Sequence, residues 1–319
     1  MLVPFLNSSS AVLLGVLAAF VFTCLAVQLG SRRLPRDMGR EYAVQGQLSA
    51  GKPRGAGFLF ILAFTAAALL FAPFSLETGL YLLMTFASMM TGFLDDCAST
   101  PWDEYRKGLL DLAVSVVTIV TYINFNGTQV RFALLGVSWQ VPVWLFGTLG
   151  VILLWSAINV TNCTDGVDGL LGTLSLVTLG AFYLAGQRLG GGDPGWQGML
   201  LLMMAAILAY LWYNTSPSSL LMGDAGSRAL GLFTAIAALK TGDPFLYIPL
   251  ALVTIADGGA GLAKIALKRF LKISILKSIR TPIHDHVRKN KAWSNPQTVY
   301  RFAAVQALLC FAALWLMKG

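Results

Sequence analysis

Apolar residues in this chain gather in long runs separated by short polar breaks. They do not alternate as in a half-buried strand, nor recur every third or fourth residue as on a soluble helix. The runs lie near 11–30, 56–74, 79–94, 109–125, 142–158, 169–187, 197–213, 226–240, 245–267 and 299–317. Each approaches the roughly 20 residues that an α-helix needs to cross the hydrocarbon of a bilayer. The pattern predicts an all-α polytopic membrane protein of about ten transmembrane helices, forming a single integral-membrane domain over 1–319. No basic segment precedes the first run and no small-residue cleavage site follows it, so it reads as a retained helix rather than a signal peptide. One connection stands out. Residues 126–141 (NGTQVRFALLGVSWQV) join turn residues to alternating β-branched and aromatic positions, which predicts a small hairpin.

Composition supports a bilayer as solvent: 56% of residues are hydrophobic, 12% are charged and mean hydropathy is +0.69. A soluble domain carries about twice that charged fraction. The net charge of +8 could suggest nucleic acid, but the basic residues sit in the breaks between runs. An even number of spans puts both termini on one side. Alternate loops then hold 19 of the 23 Lys and Arg, the other set keeping only Arg131, Arg188, Lys240 and Lys318. The positive-inside rule makes the basic set cytoplasmic and both termini extracytoplasmic. Twelve of the fifteen Asp and Glu fall on the same cytoplasmic side, leaving Glu77, Asp193 and Asp243 outside. Cys24, Cys97, Cys163 and Cys310 lie far apart without a CxxC pair, which argues against disulfides and a zinc site. The Asn-x-Thr/Ser triplets NGT, NVT, NCT and NTS carry little weight, because such triplets are common and three of these four fall in cytoplasmic segments.

Charge balance alone would not collect the acids into short motifs at helix ends. TGFLDDCAST places Asp95 and Asp96 side by side at the end of the third run. Adjacent carboxylates repel unless a cation or proton lies between them and their partners, and beside a membrane they are costly without a use. A hydrated helix end is the plain alternative. NVTNCTDGVDGLLG offers the carboxamides of Asn159 and Asn162, with Asp165 and Asp168 three apart and therefore on one face if that stretch is helical. Gly166 and Gly169 keep its backbone accessible, and a merely structural Asn/Asp/Gly turn is the alternative.

LLMGDAGSRALG sets Asp224 after Gly223 at a helix start, where free backbone N–H groups bind anions and a carboxylate can hold a metal ion shared with the same anion. Asn214 ends the preceding run and could face that space, and simple N-capping by Asp224 is a compatible role. RTPIHDHVRKN holds the two histidines, His284 and His286, around Asp285. With no Cys or second His pair to complete a zinc site, they suit an anionic substrate, helped by Arg280, Arg288 and Lys289. The alternative is a basic loop resting on anionic lipid. In the ninth run Asp257, followed by Gly258, Gly259 and Gly261, predicts a broken or bent helix beside a polar cavity. Close helix packing accounts equally well for those glycines, but not for Asp257. Carboxylates gathered at one membrane face point to a divalent metal shared with substrate phosphates.

FLDD, NxxNxTDGxDGL and MGDxGSxALG, in this order and spacing, resemble the polyprenyl-phosphate N-acetylhexosamine-1-phosphate transferases over almost the whole chain. The last cytoplasmic loop, TPIHDHVRKNKAWSNPQTVYRF, is similar to that of the phospho-N-acetylmuramoyl-pentapeptide-transferase branch. Pro282, His284, His286, Trp293, Val299, Arg301 and Phe302 all match. There are departures: Asp285 stands for the middle His of a triple, and GKPRGAG replaces GTPTMGG, bringing Lys52 and Arg54. Ser99 and Leu221 replace a Lys and a Phe, and Asp257 stands for a Glu.

The resemblance implies Mg²⁺-dependent transfer of phospho-MurNAc-pentapeptide from UDP-MurNAc-pentapeptide to undecaprenyl phosphate, giving lipid I and UMP in peptidoglycan synthesis at the bacterial cytoplasmic membrane. By motif position it makes Asp224 the Mg²⁺ ligand, and Asp95, with Asp96 beside it, the group that deprotonates or orients the lipid phosphate. Asn162, Asp165, Asn214 and Gly223 would serve the nucleotide and diphosphate, Lys107 would neutralise phosphate charge, and His284 and His286 would contact the sugar-phosphate or peptide. A homodimer is also implied, and nucleic acid is not a partner. Direct attack and a covalent aspartyl intermediate both fit such a set. Two other functions are weighed: a sister enzyme using UDP-GlcNAc, and an ion-coupled transporter, which should show repeated half-molecules and midplane acids.

Overall fold

The computed structural model describes residues 8–39, 46–100, 102–190 and 193–318. Arg40 and Glu41, counted above with the cytoplasmic charges, lie outside the described residues. The helices are α1 (Ser8–Gly30), α2 (Gly57–Phe71), α3 (Leu76–Asp96), α4 (Glu104–Asn126), α5 (Val143–Thr164), α6 (Leu170–Arg188), α7 (Pro194–Asn214) and α8 (Gly223–Lys240). They are followed by α9 (Pro244–Leu250), α10 (Leu252–Leu271), α11 (Ile283–Asn290) and α12 (Asn295–Leu316).

The chain is a helical, multi-pass membrane protein by the composition of its surface. Leu17, Leu109, Val120, Ile152, Leu308 and Phe311 are exposed on the outer faces of long helices, where a soluble protein would carry charge. Among the described residues, α1, α4, α5, α6, α7 and α12 are long and apolar enough to span, and α9 with α10 makes a seventh, broken span. The remaining three of the ten runs fall short for physical reasons. α2 has 15 residues, α3 carries Glu77 and a face of Thr, Ser and Gly ahead of Asp95 and Asp96, and α8 carries Asp224, Arg228 and Lys240 in 18 residues.

The core forms around α8. All but its first-turn Asp224 and last-turn Lys240 are buried, and its small residues let α2, α3 and α5 approach closely. On α3 the buried positions are Thr78, Tyr81, Leu82, Thr85, Ser88, Met89, Gly92 and Asp95. That is one continuous helical face of mostly small or hydroxylated residues, ending in a carboxylate. Three helix starts, those of α3, α4 and α12, are capped by their own side chains. Asp103 accepts from Arg106 N–H at 2.7 Å, and Ser75 and Ser294 form capping boxes with Thr78 and Gln297.

The expected hairpin is present. β1 (Gln129–Phe132) pairs antiparallel with β2 (Val137–Gln140), and Gln129 faces Gln140. It docks through Arg131 N–H on Gly242 O and Ala133 N–H on Asp243 Oδ2, with Lys318 N–H returning to Ala133 O. The ninth run is bent, but at Ala251, ahead of Asp257 and the glycines on which the bend was expected. α9 and α10 meet at 72°, and Asp257 sits in a π-helical turn, Ile255–Gly259, inside α10. The ends of α3, α5 and α7 and the starts of α4, α6 and α8 come together at one side of the bundle, opposite the hairpin.

Candidate active site

Asp224 lies one residue inside α8, in the wall of a cavity of about 670 Å³. The cavity is framed by Asp37, Ser49, Lys52 and Arg54, the α5–α6 turn, the α7–α8 connection and the segment carrying His284. Gly223, with φ +72°, turns the chain into α8, and a Cβ there would run into Asp96 Oδ2 and the Gly55 backbone. The start of α8 has no side-chain cap of its own; Asp96, from the end of α3, accepts from Ala225 N–H at 3.1 Å. The anion-binding helix start expected from the sequence is therefore partly occupied by a carboxylate of the protein.

Three cations surround the Asp224 carboxylate. Arg54 Nη2 lies 3.4 Å from Oδ1, and Lys107 Nζ and Arg228 Nε lie 3.6 and 3.7 Å from Oδ2. Arg54 also places Nε 2.9 Å from Asp96 Oδ1, without the alignment of a hydrogen bond, and reaches Asp37 at 3.8 Å. Burial alone would lower the Arg54 pKa, but Asp96, Asp224 and Asp37 together hold it above its ordinary value. Lys107 bridges to Asp95 Oδ2, while Asp95 Oδ1 accepts from Trp102 N–H at 2.8 Å. Asp95, Asp96 and Lys107 thus stand behind the cavity wall and touch it through Asp224.

Asn162, Asp165, Asp168, Asn214, Gly223, Asp224 and His284 all line the cavity. Their geometry corrects parts of the sequence reading. Asp165 ends α5 and Asp168 lies in a turn, so the two do not share a helical face. Asp168 accepts from Ser218 N–H and Oγ–H and lies 3.9 Å from Lys52 Nζ. Asn162 donates to Ser227 Oγ at 3.0 Å and lines the cavity with Asp224. Asn214 is spent on backbone, with Oδ1 accepting from Gly169 N–H and Nδ2 donating to Leu220 O, each at 2.8 Å.

The two histidines separate. His284 is buried, its backbone N–H and Nδ1 both bound to Asp257 at 2.7 and 2.8 Å, which leaves Nε2 at the cavity beside Gly166. His286 is not among the lining residues, and its Nδ1 accepts from Arg280 N–H at 3.2 Å. Arg288, one turn after His284, lines the cavity with it. Burial lowers the Arg288 pKa, partly offset by Asp285 and Asp168. Two groups escaped the sequence reading. Asp111 of α4 and Arg228 form a buried ion pair at 2.7 Å, and Asn159 donates to the same Asp111 carboxylate at 3.3 Å. A charge inside an apolar run was the signal for both.

Among the described residues no three His, Cys, Asp or Glu converge as a ready-made metal cage. Magnesium seldom uses one: it takes one or two carboxylates and keeps its other positions for water and substrate phosphate. Asp224 and Asp165 present oxygen donors to one cavity, so the residues fit such an ion.

The description "Glycosyl transferase family 4" matches residues 78–242, from the start of α3 through the end of α8. A phospho-N-acetylmuramoyl-pentapeptide-transferase from Treponema pallidum (strain Nichols) is 40% identical, covering 98% of this chain and 91% of the relative. The chain belongs to glycosyl transferase family 4, with the phospho-N-acetylmuramoyl-pentapeptide-transferases. Relatives of the same name from Thermotoga neapolitana and Symbiobacterium thermophilum are each 27% identical. They cover 83% and 90% of the chain, and 84% and 88% of their own lengths. In this family the chain is a transferase enzyme, and the UDP-GlcNAc and transporter alternatives are not favoured.

Proposed function

We propose that this protein transfers phospho-MurNAc-pentapeptide from UDP-MurNAc-pentapeptide to undecaprenyl phosphate, giving lipid I and UMP in a bacterial cytoplasmic membrane. The observation that carries this is Asp224 in the cavity wall, with Lys107 joining it to Asp95. In the reaction a lipid phosphate oxygen bonds to the sugar-linked phosphorus, and that phosphorus releases UMP as its other bridging P–O bond breaks. Catalysis of phosphoryl transfer is mostly positioning and charge compensation, which suits a site made of paired carboxylates and cations.

In this reading Asp95 orients or deprotonates the lipid phosphate from behind the cavity wall, linked to it through Lys107 and Asp224, and Asp96 fixes the start of α8. Asn162, Asp165 and the Gly223 backbone serve the nucleotide and diphosphate, and Asn214 serves them by clamping the α6 and α7 ends. His284 reaches the sugar-phosphate or peptide with Nε2, and His286 acts from outside the cavity by shaping the loop. Asp224, with Asp165, would hold a Mg²⁺ ion, which when bound neutralises diphosphate charge and polarises the reacting phosphorus.

The topology proposed with this function has ten crossings of one membrane unit, both termini extracytoplasmic and the cavity cytoplasmic. The charge sorting of the loops supports it. The homodimer implied by resemblance gains no support from the fold or the relatives, and a mass measurement in detergent decides it. The test of function is UMP release by the purified full chain with undecaprenyl phosphate and Mg²⁺, comparing UDP-MurNAc-pentapeptide with UDP-GlcNAc. Strong preference for the first is expected; preference for the second overturns the choice of donor.

A further inference from the structure

Charge is arranged across α4 and α8 as two rungs. On α4, Lys107 and Asp111 are four residues apart and share a face; on α8, Asp224 and Arg228 do the same in opposite order of sign. One rung joins Lys107 to Asp224 at 3.6 Å, and the other joins Arg228 Nη1 to Asp111 at 2.7 Å. The second rung lies deeper, its side chains 4% and 1% exposed, and neither residue lines the cavity. A buried ion pair is seldom the most stable filling for such a space, since apolar residues of similar volume commonly do as well or better. Its retention therefore calls for a use besides packing.

Arg228 Nε shows that use. It is buried, has no hydrogen-bond acceptor among the described residues, and lies 3.7 Å from Asp224 Oδ2. The guanidinium is anchored on one side by Asp111, which Asn159 holds in turn, and offers its other edge to Asp224. A planar, rigid group can serve two carboxylates at once in a way that a single ammonium cannot. We infer that Arg228, seated by Asp111, is a positioning residue that fixes the orientation of the Asp224 carboxylate toward the cavity. This rests on the reading of Asp224 as the centre of the site. It adds a pair of residues, one on each facing helix, that set how well that centre works without touching substrate.

The test uses full-length protein in detergent and reads melting temperature together with kcat and KM for the UDP-sugar donor. Arg228→Lys keeps a cation for Asp111 but gives up the second contact. It is expected to hold the melting temperature and donor KM while kcat falls about tenfold, the scale of a small misplacement at a reacting centre. The double variant Asp111→Leu with Arg228→Leu removes the pair without stranding a charge. It should show the same kcat loss with unchanged or higher stability. Wild-type kcat in either folded variant overturns the inference, as does a kcat loss that merely follows lost stability. If one variant fails to fold, the other decides. Asp224→Asn separates the two levels. An active Asp224→Asn refutes the reading of the site, whereas an inactive one beside a fully active Arg228→Lys refutes only the role of Arg228.

Discussion

Both ends of the helical bundle hold charges in buried or half-buried places, but they are wired differently. At the hairpin end, Lys240 Nζ donates to both Glu77 oxygens at 2.9 and 3.1 Å and to Asn126 Oδ1 at 3.2 Å. Tyr81 O–H and Asn126 Nδ2–H donate to Glu77 Oε1 at 2.8 and 2.6 Å. At the Asp224 end, Arg54 Nε, Asp96 Oδ1 and Arg228 Nε are buried without hydrogen bonds, and the cations stand 3.4 to 3.7 Å from Asp224. A saturated network holds helices together. An unsaturated one beside a cavity keeps strong donors and acceptors in reserve for a charged ligand, at some expense in stability. The contrast separates charge used for structure from charge available for chemistry.

If that contrast is right, the largest effect comes from Asp224→Asn. Loss of one preorganised charge at a phosphoryl centre should lower turnover about a thousandfold in a protein that still folds, with a modest fall in melting temperature as Arg54, Lys107 and Arg228 lose their shared counterion. Turnover near wild type, measured as UMP release, would erase the distinction between the two ends. Gly223→Ala should come next, at about a hundredfold. Its φ of +72° and the contact of a new Cβ with Asp96 and Gly55 would push the start of α8 away, and stability should also fall by about 2 kcal/mol. Full activity with an unshifted melting curve would show that the turn tolerates a side chain.

Asp257→Asn tests the support behind His284 in the cavity wall. Asp257 accepts from the His284 backbone and binds Nδ1, so it fixes which ring nitrogen faces the cavity. A carboxamide can present its NH₂ to Nδ1 and favour the other tautomer. Turnover should fall about tenfold, as is usual when an orienting partner is lost. Equal kcat and KM in the variant would make the contact purely structural.

How much of this the sequence disclosed depends on where each charge lies. Asp95, Asp224 and Asn162 stand at the ends of apolar runs, so the runs themselves advertised them and located them at one face. Asp111 and Arg228 lie inside runs, where hydropathy averages them away, and their pairing joins positions 117 residues apart. Asp165 and Asp168 looked helically spaced, but Gly169 at φ +81° turns the chain between two helices. The two histidines were indistinguishable by motif. α11 separates them, because residues two apart on a helix point to different sides while His284 and Arg288, four apart, share the cavity face. The span count differed for a related reason. The runs most involved in the site are poor spans by composition, α8 through its three charges and α3 through Glu77 and the small polar face that packs on α8.

Lys240→Met addresses the opposite end and should have the smallest effect on catalysis. The substitution keeps a long apolar stem but strands Glu77 among Tyr81 and Asn126 with no cation, where its side chain is only 12% exposed. Breaking one partner of such a pair costs about 2 kcal/mol, discounted from fully buried cases because water reaches this end. That loss should appear in the melting temperature and in faster proteolysis of the α2–α3 and α8–α9 connections, which flank Glu77 and Lys240. Per folded molecule, kcat and donor KM should stay at wild-type values, since no residue of this network lines the cavity. A fall in kcat without a fall in stability would mean that the two ends communicate along α3 and α8, which carry Glu77 and Lys240 at one end and Asp96 and Asp224 at the other. Charge for structure and charge for chemistry would then be one system, and the saturated network would have to be counted as part of the site.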